Sequence, residues 1–272
     1  MTAAVEALER RVRSYQASRA VVAYSGGVDS ATVVAVAVRA LGPEAVEAVT
    51  AISPSYPAGE LEAARAVAAS IGVPHRTIAT REVERDAYAR NDALRCFHCK
   101  SELYGTLQRL VAAEGGPGRV VLAGANADDL ADLRPGLRAA EQQGVRNPLL
   151  EEGLGKAGVR AVASRLGLTV ADKPALACLS SRVAQGLRIT PDLLARIDRA
   201  EARVRSLGFD VVRVRHLGTD ASVEVAPNDV ARLMTDERLP GLIASLRGDG
   251  WSNVRVDLAG YRQGSLNVTA PA

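Results

Sequence analysis

Aromatic side chains are scarce in this chain of 272 residues: Phe, Trp and Tyr together make up 3%. That leaves little for base stacking, and the formal charge of +3 is too small to argue for a nucleic-acid partner. Long apolar runs are missing too. Arg, Glu, Asp or Gly interrupts each one before the roughly 18 to 20 residues that a bilayer crossing needs, so an integral membrane protein is not expected. The N-terminus, MTAAVEALERRVRSYQ, is charged and amphipathic without an apolar signal core, so a cytosolic protein is expected. Only three of the 34 basic residues are lysines (Lys100, Lys156, Lys173), a skew that reads as composition bias. Internal repeats and low-complexity segments are absent. What is present suffices for a globular protein: 47% of the residues are hydrophobic, and the chain is long enough for two domains.

Cysteine is rationed to three, yet two of them fall within RCFHCKS, residues 95–101. A cytosolic compartment keeps thiols reduced, so Cys96 and Cys99 read as ligands for metal, cluster or redox chemistry ahead of a disulfide. The third, Cys178, stands in ALACLSSR, residues 175–182, beside Ser181 and Arg182. Three thiolates spaced as C-x2-C and then 78 residues can cap three irons of a 4Fe-4S cluster and leave the fourth iron open to an external ligand. Zinc stays open as an alternative, with His98 the nearby candidate for a fourth ligand. So do a bare sulfur-carrying cysteine and inert core thiols.

Periodicity predicts strands over 19–25, 45–53, 75–80 and 119–126, with helices over 31–42, 58–73 and 101–115 between them. Such alternation argues for an open, mostly parallel sheet with helices on both faces, its ligand beyond the carboxyl ends of the strands. The organisation changes near residue 186. A helix over 193–208, strands over 210–218 and 221–227, a helical stretch over 228–250 and a strand over 251–261 predict a smaller α+β domain. The expected domains are therefore 1–185, carrying the three cysteines, and 186–272, for substrate binding or oligomerisation.

The most informative stretch is VVAYSGGVDSATVV, residues 21–34. A strand runs into Ser25-Gly26-Gly27-Val28-Asp29-Ser30 and a helix begins at once. Adjacent glycines allow close backbone approach to an anion, and a helix N-terminus supplies free N–H groups. The loop holds no lysine and is neither a Walker A motif nor a dinucleotide fingerprint. It resembles the PP-loop of ATP pyrophosphatases, which cleave ATP between its α and β phosphates and transfer AMP to a substrate oxygen. ATP contacts are expected from Ser25, Gly26, Gly27, Asp29 and Ser30, with Gly124 and Asn126 at the end of the fourth strand helping to position nucleotide. Asp29 is a candidate Mg2+ ligand. Asp128 and Asp129 lie near the same strand end, as functional carboxylates or as helix caps.

NDALRCFHCKSELY (91–104), AGANADDLADLRPGLRAA (123–140), RNPLLEEGLGKAGVR (146–160), DKPALACLSSR (172–182), RVRHLGTDASVEV (213–225) and DLAGYRQGSLN (257–267) together resemble the LarE family. These are ATP-dependent sulfurtransferases of nickel-pincer nucleotide biosynthesis. The resemblance implies adenylation of the carboxylates of pyridinium-3,5-biscarboxylic acid mononucleotide and their conversion to thiocarboxylates. In one branch a single cysteine, matching Cys178, gives up its own sulfur and becomes dehydroalanine. The additional Cys96 and Cys99 resemble the branch whose 4Fe-4S cluster delivers sulfide repeatedly.

The resemblance also implies a homo-oligomer and an anionic nucleotide bound by Ser181, Arg182, Arg213, Arg215 and Arg262, with Glu201 and Glu224 as further substrate-binding positions of the family. Arg182 is expected beside the reacting sulfur. His75 and His216 are expected to be structural. Two other PP-loop functions remain open: tRNA thiolation, which the lack of an RNA-binding module disfavours, and an amidotransferase-type synthetase with structural cysteines.

Overall fold

The computed structural model describes residues 2–115, 118–130, 135–174 and 177–262. Residues 131–134 of the AGANADDLADLRPGLRAA stretch, 175–176 of ALACLSSR and 263–267 of DLAGYRQGSLN lie outside the described residues.

In chain order the elements are α1 (Thr2–Ser14), β1 (Arg19–Ala23), α2 (Val28–Leu41), β2 (Val46–Ile52), α3 (Glu60–Ile71), β3 (His75–Ala79), α4 (Asp86–Ala89), α5 (Arg95–Ala113), β4 (Arg119–Leu122), α6 (Pro135–Gln142), α7 (Pro148–Glu151), α8 (Lys156–Arg165), α9 (Pro191–Ser206), β5 (Val212–Leu217), β6 (Asp220–Val225), α10 (Val230–Met234), α11 (Leu239–Gly248) and β7 (Asn253–Val256). No helix among the described residues is long and apolar enough to cross a membrane.

The chain divides into two compact units, 1–82 with 94–176, and 83–93 with 177–272. Compared with a boundary at 185/186, this division places Cys178, Ser181 and Arg182 in the second unit. It also assigns to that unit the short segment ahead of Cys96.

In the first unit, four strands form a parallel sheet in the order β3-β2-β1-β4. Successive strand residues point to opposite faces, and the core follows that alternation. Ala20, Val22 and Leu122 pack on one side with Leu8, Val33, Val36 and Val162 from α1, α2 and α8. Val21 and Val121 pack on the other with Tyr104, Leu107, Ala139 and Ala140 from α5 and α6. Burying a valine such as Val22 in full stabilises by about 1.5–3 kcal/mol, so both faces must be covered for the sheet to persist. The expected open parallel sheet with helices on both faces is the observed architecture. The direction in which strands are added reverses at β1: β2 and β3 extend the sheet to one side and β4 to the other, which puts the switch point between β1 and β4. His75 is structural, sharing a 2.8 Å hydrogen bond with Thr50 Oγ1 and meeting Tyr24 edge-on.

The second unit holds a three-stranded sheet, β5-β6-β7, with β5 antiparallel and β7 parallel to β6. The helical stretch expected over 228–250 breaks at Thr235–Arg238 into α10 and α11. Pro240 lacks an N–H and fits the first turn of a helix, so it starts α11 instead of continuing α10. His216 accepts a 3.0 Å bond from Trp251 Nε1 and is part of the packing between β5 and the α11–β7 turn.

Candidate active site

The loop after β1 is built as an anion cradle. Gly26 adopts φ +77°, and a Cβ there would come within 2.7 Å of Ala64 Cβ in α3. Only glycine admits that approach. Ser30 Oγ donates to the Gly27 carbonyl at 3.1 Å and accepts from the Ser25 amide at 3.2 Å, closing the loop on itself. No side chain caps α2, so its first-turn N–H groups and the positive end of its dipole are offered to an anion.

The far wall of this site comes from β4 and α8. A Cβ on Gly124 would sit 2.9 Å from the Ser30 amide nitrogen, so glycine lets the strand-end loop touch the start of α2. Asn126 Nδ2 donates to Asp29 Oδ1 at 3.3 Å, and Lys156 Nζ donates to Asp29 Oδ2 at 2.5 Å. Asp128 Oδ2 accepts the Lys156 amide at 2.8 Å, capping α8 and fixing where the lysine begins its reach. Asp129 Oδ2 accepts the Asn126 amide at 3.0 Å. Both aspartates therefore act as caps, and Asp128 acts on α8 across the loop. Ser25, Gly26, Gly27, Asp29, Ser30, Gly124, Asn126 and Asp128 all belong to this one site.

Lys156 is the residue that sequence reasoning missed. Its rarity was the available signal: where arginine fills nearly every basic position, a retained lysine marks a place that needs a compact ammonium.

Cys96 and Cys99 are the second and fifth residues of α5, and Cys178 immediately precedes a 3-10 turn, Leu179–Arg182, in the second unit. None is in a disulfide; Cys96 is exposed and the others are half-buried. Three reduced thiols, two of them on one helical turn, suit an iron–sulfur cluster as donors. Among the described residues, no three His, Cys, Asp or Glu are grouped as a metal site.

Around Cys178 the second unit is a lattice of charged hydrogen bonds. Arg182, only 1% exposed, donates through Nη1 to the carbonyls of Ala177 (2.7 Å) and Cys178 (2.9 Å). Its Nε and Nη2 engage both oxygens of Glu201, at 2.8 and 3.1 Å. Glu201 also accepts from the Val214 amide and from Arg205. Burial pushes the Glu201 carboxyl up, but hydrogen bonding and charge from Arg182, the Val214 amide and the Arg205 charge outweigh it and hold its pKa below the ordinary value.

Arg182 and Glu201, both expected at the substrate, are thus enclosed by protein: they shape the turn that carries Cys178. Arg215 is placed similarly, bonding Glu224 at 3.0 Å and the Ser181 carbonyl at 3.0 Å. Glu224 is pushed up by burial more than Arg215 pulls it down. Ser181 Oγ donates to the Cys178 carbonyl at 2.8 Å.

Arg213 differs. It is half-buried over the Tyr261 ring, and burial, then the Arg182 charge, lower its pKa, an environment that an anion would relieve. Arg262 is exposed, 3.4 Å from Asp257.

With this geometry established, similarity to known proteins decides the family. The NAD synthase family matches residues 1–95, which span the phosphate loop. An uncharacterized protein of Synechocystis is 45% identical over 249 residues, 92% of either chain. The pyridinium-3,5-bisthiocarboxylic acid mononucleotide synthase of Lactiplantibacillus plantarum is 34% identical over 252 residues, 92% of this chain and 90% of that one. The chain belongs to the LarE family. An uncharacterized protein of Methanocaldococcus jannaschii, 25% identical over 248 residues, is a more distant relative. LarE-family membership makes the chain a PP-loop enzyme that uses ATP, and the loop of Ser25–Ser30 is where that family signature lies.

Proposed function

We propose that this enzyme adenylates carboxylates of pyridinium-3,5-biscarboxylic acid mononucleotide and converts them to thiocarboxylates in the cytoplasm. The observation that carries the reading is the uncapped α2 N-terminus above Ser25–Ser30, faced by Lys156, Asp29 and Asn126, in a chain 34% identical to the bisthiocarboxylic acid mononucleotide synthase.

A carboxylate is a poor electrophile. Its oxygen attacks the α phosphorus of ATP, the α–β bridge breaks, and pyrophosphate leaves. Sulfide then attacks the acyl carbon, AMP departs with the carbonyl–oxygen bond pair, and a thiocarboxylate remains. The α2 amides and Lys156 hold the phosphates and stabilise the departing pyrophosphate. Mg2+ arriving with the phosphates would add charge neutralisation, with Asp29 as its carboxylate. Arg213 and Arg262 receive the substrate's anionic groups, while Arg182, Arg215, Glu201 and Glu224 keep the Cys178 turn and Ser181 in place. Cys96, Cys99 and Cys178 would hold a 4Fe-4S cluster, which supplies an iron with one open position for sulfide. The resemblance to the family supports a homo-oligomer.

Product analysis tests the reading. With ATP, Mg2+ and the carboxylated pyridinium mononucleotide, AMP and pyrophosphate are expected in equal amounts. ADP and orthophosphate as the stoichiometric products would overturn it, and thiolation of tRNA in preference to the mononucleotide would replace the substrate.

A further inference from the structure

Beyond β3 the chain carries a buried carboxylate whose bonding is one-sided. Glu82 is 2% exposed. Its Oε1 accepts from Ser53 Oγ at 2.5 Å and from Ser55 Oγ at 2.9 Å. Its Oε2 is equally buried and meets no donor, and no Lys or Arg among the described residues pairs with it. A carboxylate oxygen left bare in a protein interior forfeits its hydration without replacement, so such an atom calls for a partner.

Its place in the fold indicates which partner. Ser53 and Ser55 follow the carboxyl end of β2 directly, and the Thr80 amide, donating to the Ile52 carbonyl at 3.1 Å, carries the β2–β3 pairing on to the residues before Glu82. The next residue of the serine turn, Tyr56, donates its hydroxyl to the Ser25 carbonyl of the phosphate loop at 3.4 Å. The bare oxygen thus belongs to the carboxyl edge of the sheet, on the β2 side of β1, where the phosphate loop has its other neighbour.

We infer that Glu82, held by Ser53 and Ser55, accepts a hydrogen bond from a donor group on the adenosine half of the bound ATP and so selects the nucleotide. The inference rests on the ATP-using reading above. The phosphates, acceptors throughout, engage the amide-rich loop, whereas a carboxylate needs an N–H or O–H donor. Adenosine offers two kinds, the 6-amino group and the ribose hydroxyls.

The test compares binding of ATP, ITP, 2′-deoxy-ATP and 3′-deoxy-ATP by isothermal titration of the full-length enzyme. The wild type is expected to bind one of the three analogues about tenfold or more weakly than ATP, because a charge-assisted hydrogen bond is lost. ITP in that role identifies the amino group, and a deoxy analogue identifies the ribose. In Glu82→Ala the weak analogue and ATP should bind alike. If the alanine variant fails to fold, Glu82→Asp, which withdraws the carboxylate by one methylene, should compress the same ratio.

Equal binding of all four nucleotides by the wild type overturns the inference, since a water would then serve Oε2 as well. An analogue preference that survives both substitutions also overturns it. Failure of ATP itself to bind would remove the ATP reading and this inference together, whereas ATP binding without discrimination removes only the role of Glu82.

Discussion

At the scale of single residues, the two charged pairs in the described sites have different characters. Lys156 and Asp29 are each about a quarter to a third exposed, so their ion pair contributes little to folding, roughly 0–1 kcal/mol. Lys156→Ala is therefore expected to leave the denaturant midpoint nearly unchanged and to weaken ATP binding by about tenfold or more, read by titration. Arg182 and Glu201 are the opposite case. Removing the guanidinium leaves the buried Glu201 carboxylate with only the half-exposed Arg205 and the Val214 amide, and Arg182→Ala should cost about 3 kcal/mol in urea unfolding, the low end for breaking a buried pair.

The pH dependence follows from the same pair. Because the folded-state pKa of Glu201 lies below its ordinary value of 4.5, its contribution is fully present above that value and is lost as pH falls through the folded pKa. Melting temperatures of the wild type should fall on acidification below about 4.5, and Glu201→Gln should melt lower at neutral pH with a shallower acid limb. Sequence reasoning named both residues. It could not separate an arginine that touches substrate from one that holds a backbone turn, because burial is decided by β5 and α9, far along the chain.

At the scale of elements, the parallel sheet was legible because β-branched runs alternate with glycine-terminated helices. The start of α5 was not. Its N-cap position is Leu94, without a side-chain cap, so the usual start signal is missing, and the helix expected over 101–115 begins six residues earlier, at Arg95, taking in RCFHCKS. The loops on either side of β1 also depend on glycines whose reason appears only in three dimensions. Gly124→Ala would drive a methyl group into the backbone of Asp29 and Ser30, pushing α2 from the strand-end loop. We expect destabilisation of about 1–3 kcal/mol by urea unfolding, with a larger loss in ATP binding than in fold. Gly144 and Gly153 have positive φ but meet nothing within 4 Å, so their replacement should affect stability without touching nucleotide binding.

At the scale of the whole molecule, the chain enters the second unit early, for residues 83–93, and returns before the cysteine pair. Nothing in local periodicity announces this. Besides the local bonds of α4, tertiary bonds tie the segment into that unit: the Tyr88 and Ser180 hydroxyls share a 2.6 Å hydrogen bond, and Asn91, at φ +57°, donates through Nδ2 to the carbonyls of Val183 and Ala184. Anaerobically purified enzyme should contain about four irons per chain, and substitution of any one of Cys96, Cys99 or Cys178 by alanine should remove or destabilise them. Intact-mass measurement after several turnovers with added sulfide should find Cys178 unmodified. Dehydroalanine at that position without bound iron would instead identify a sacrificial cysteine.

The pairing of Lys156 with Asp29 has a practical corollary. With three lysines in the chain, an acylating reagent has three side-chain amines to find: one ion-paired at the phosphate loop, one bound to Glu60 at 2.7 Å, and one over the Tyr104 ring. Mild acetylation followed by peptide mapping therefore becomes a footprint of ligand occupancy. Nucleotide should shield position 156 while leaving 100 and 173 as internal standards, giving each protein molecule its own record of whether its phosphate site was filled.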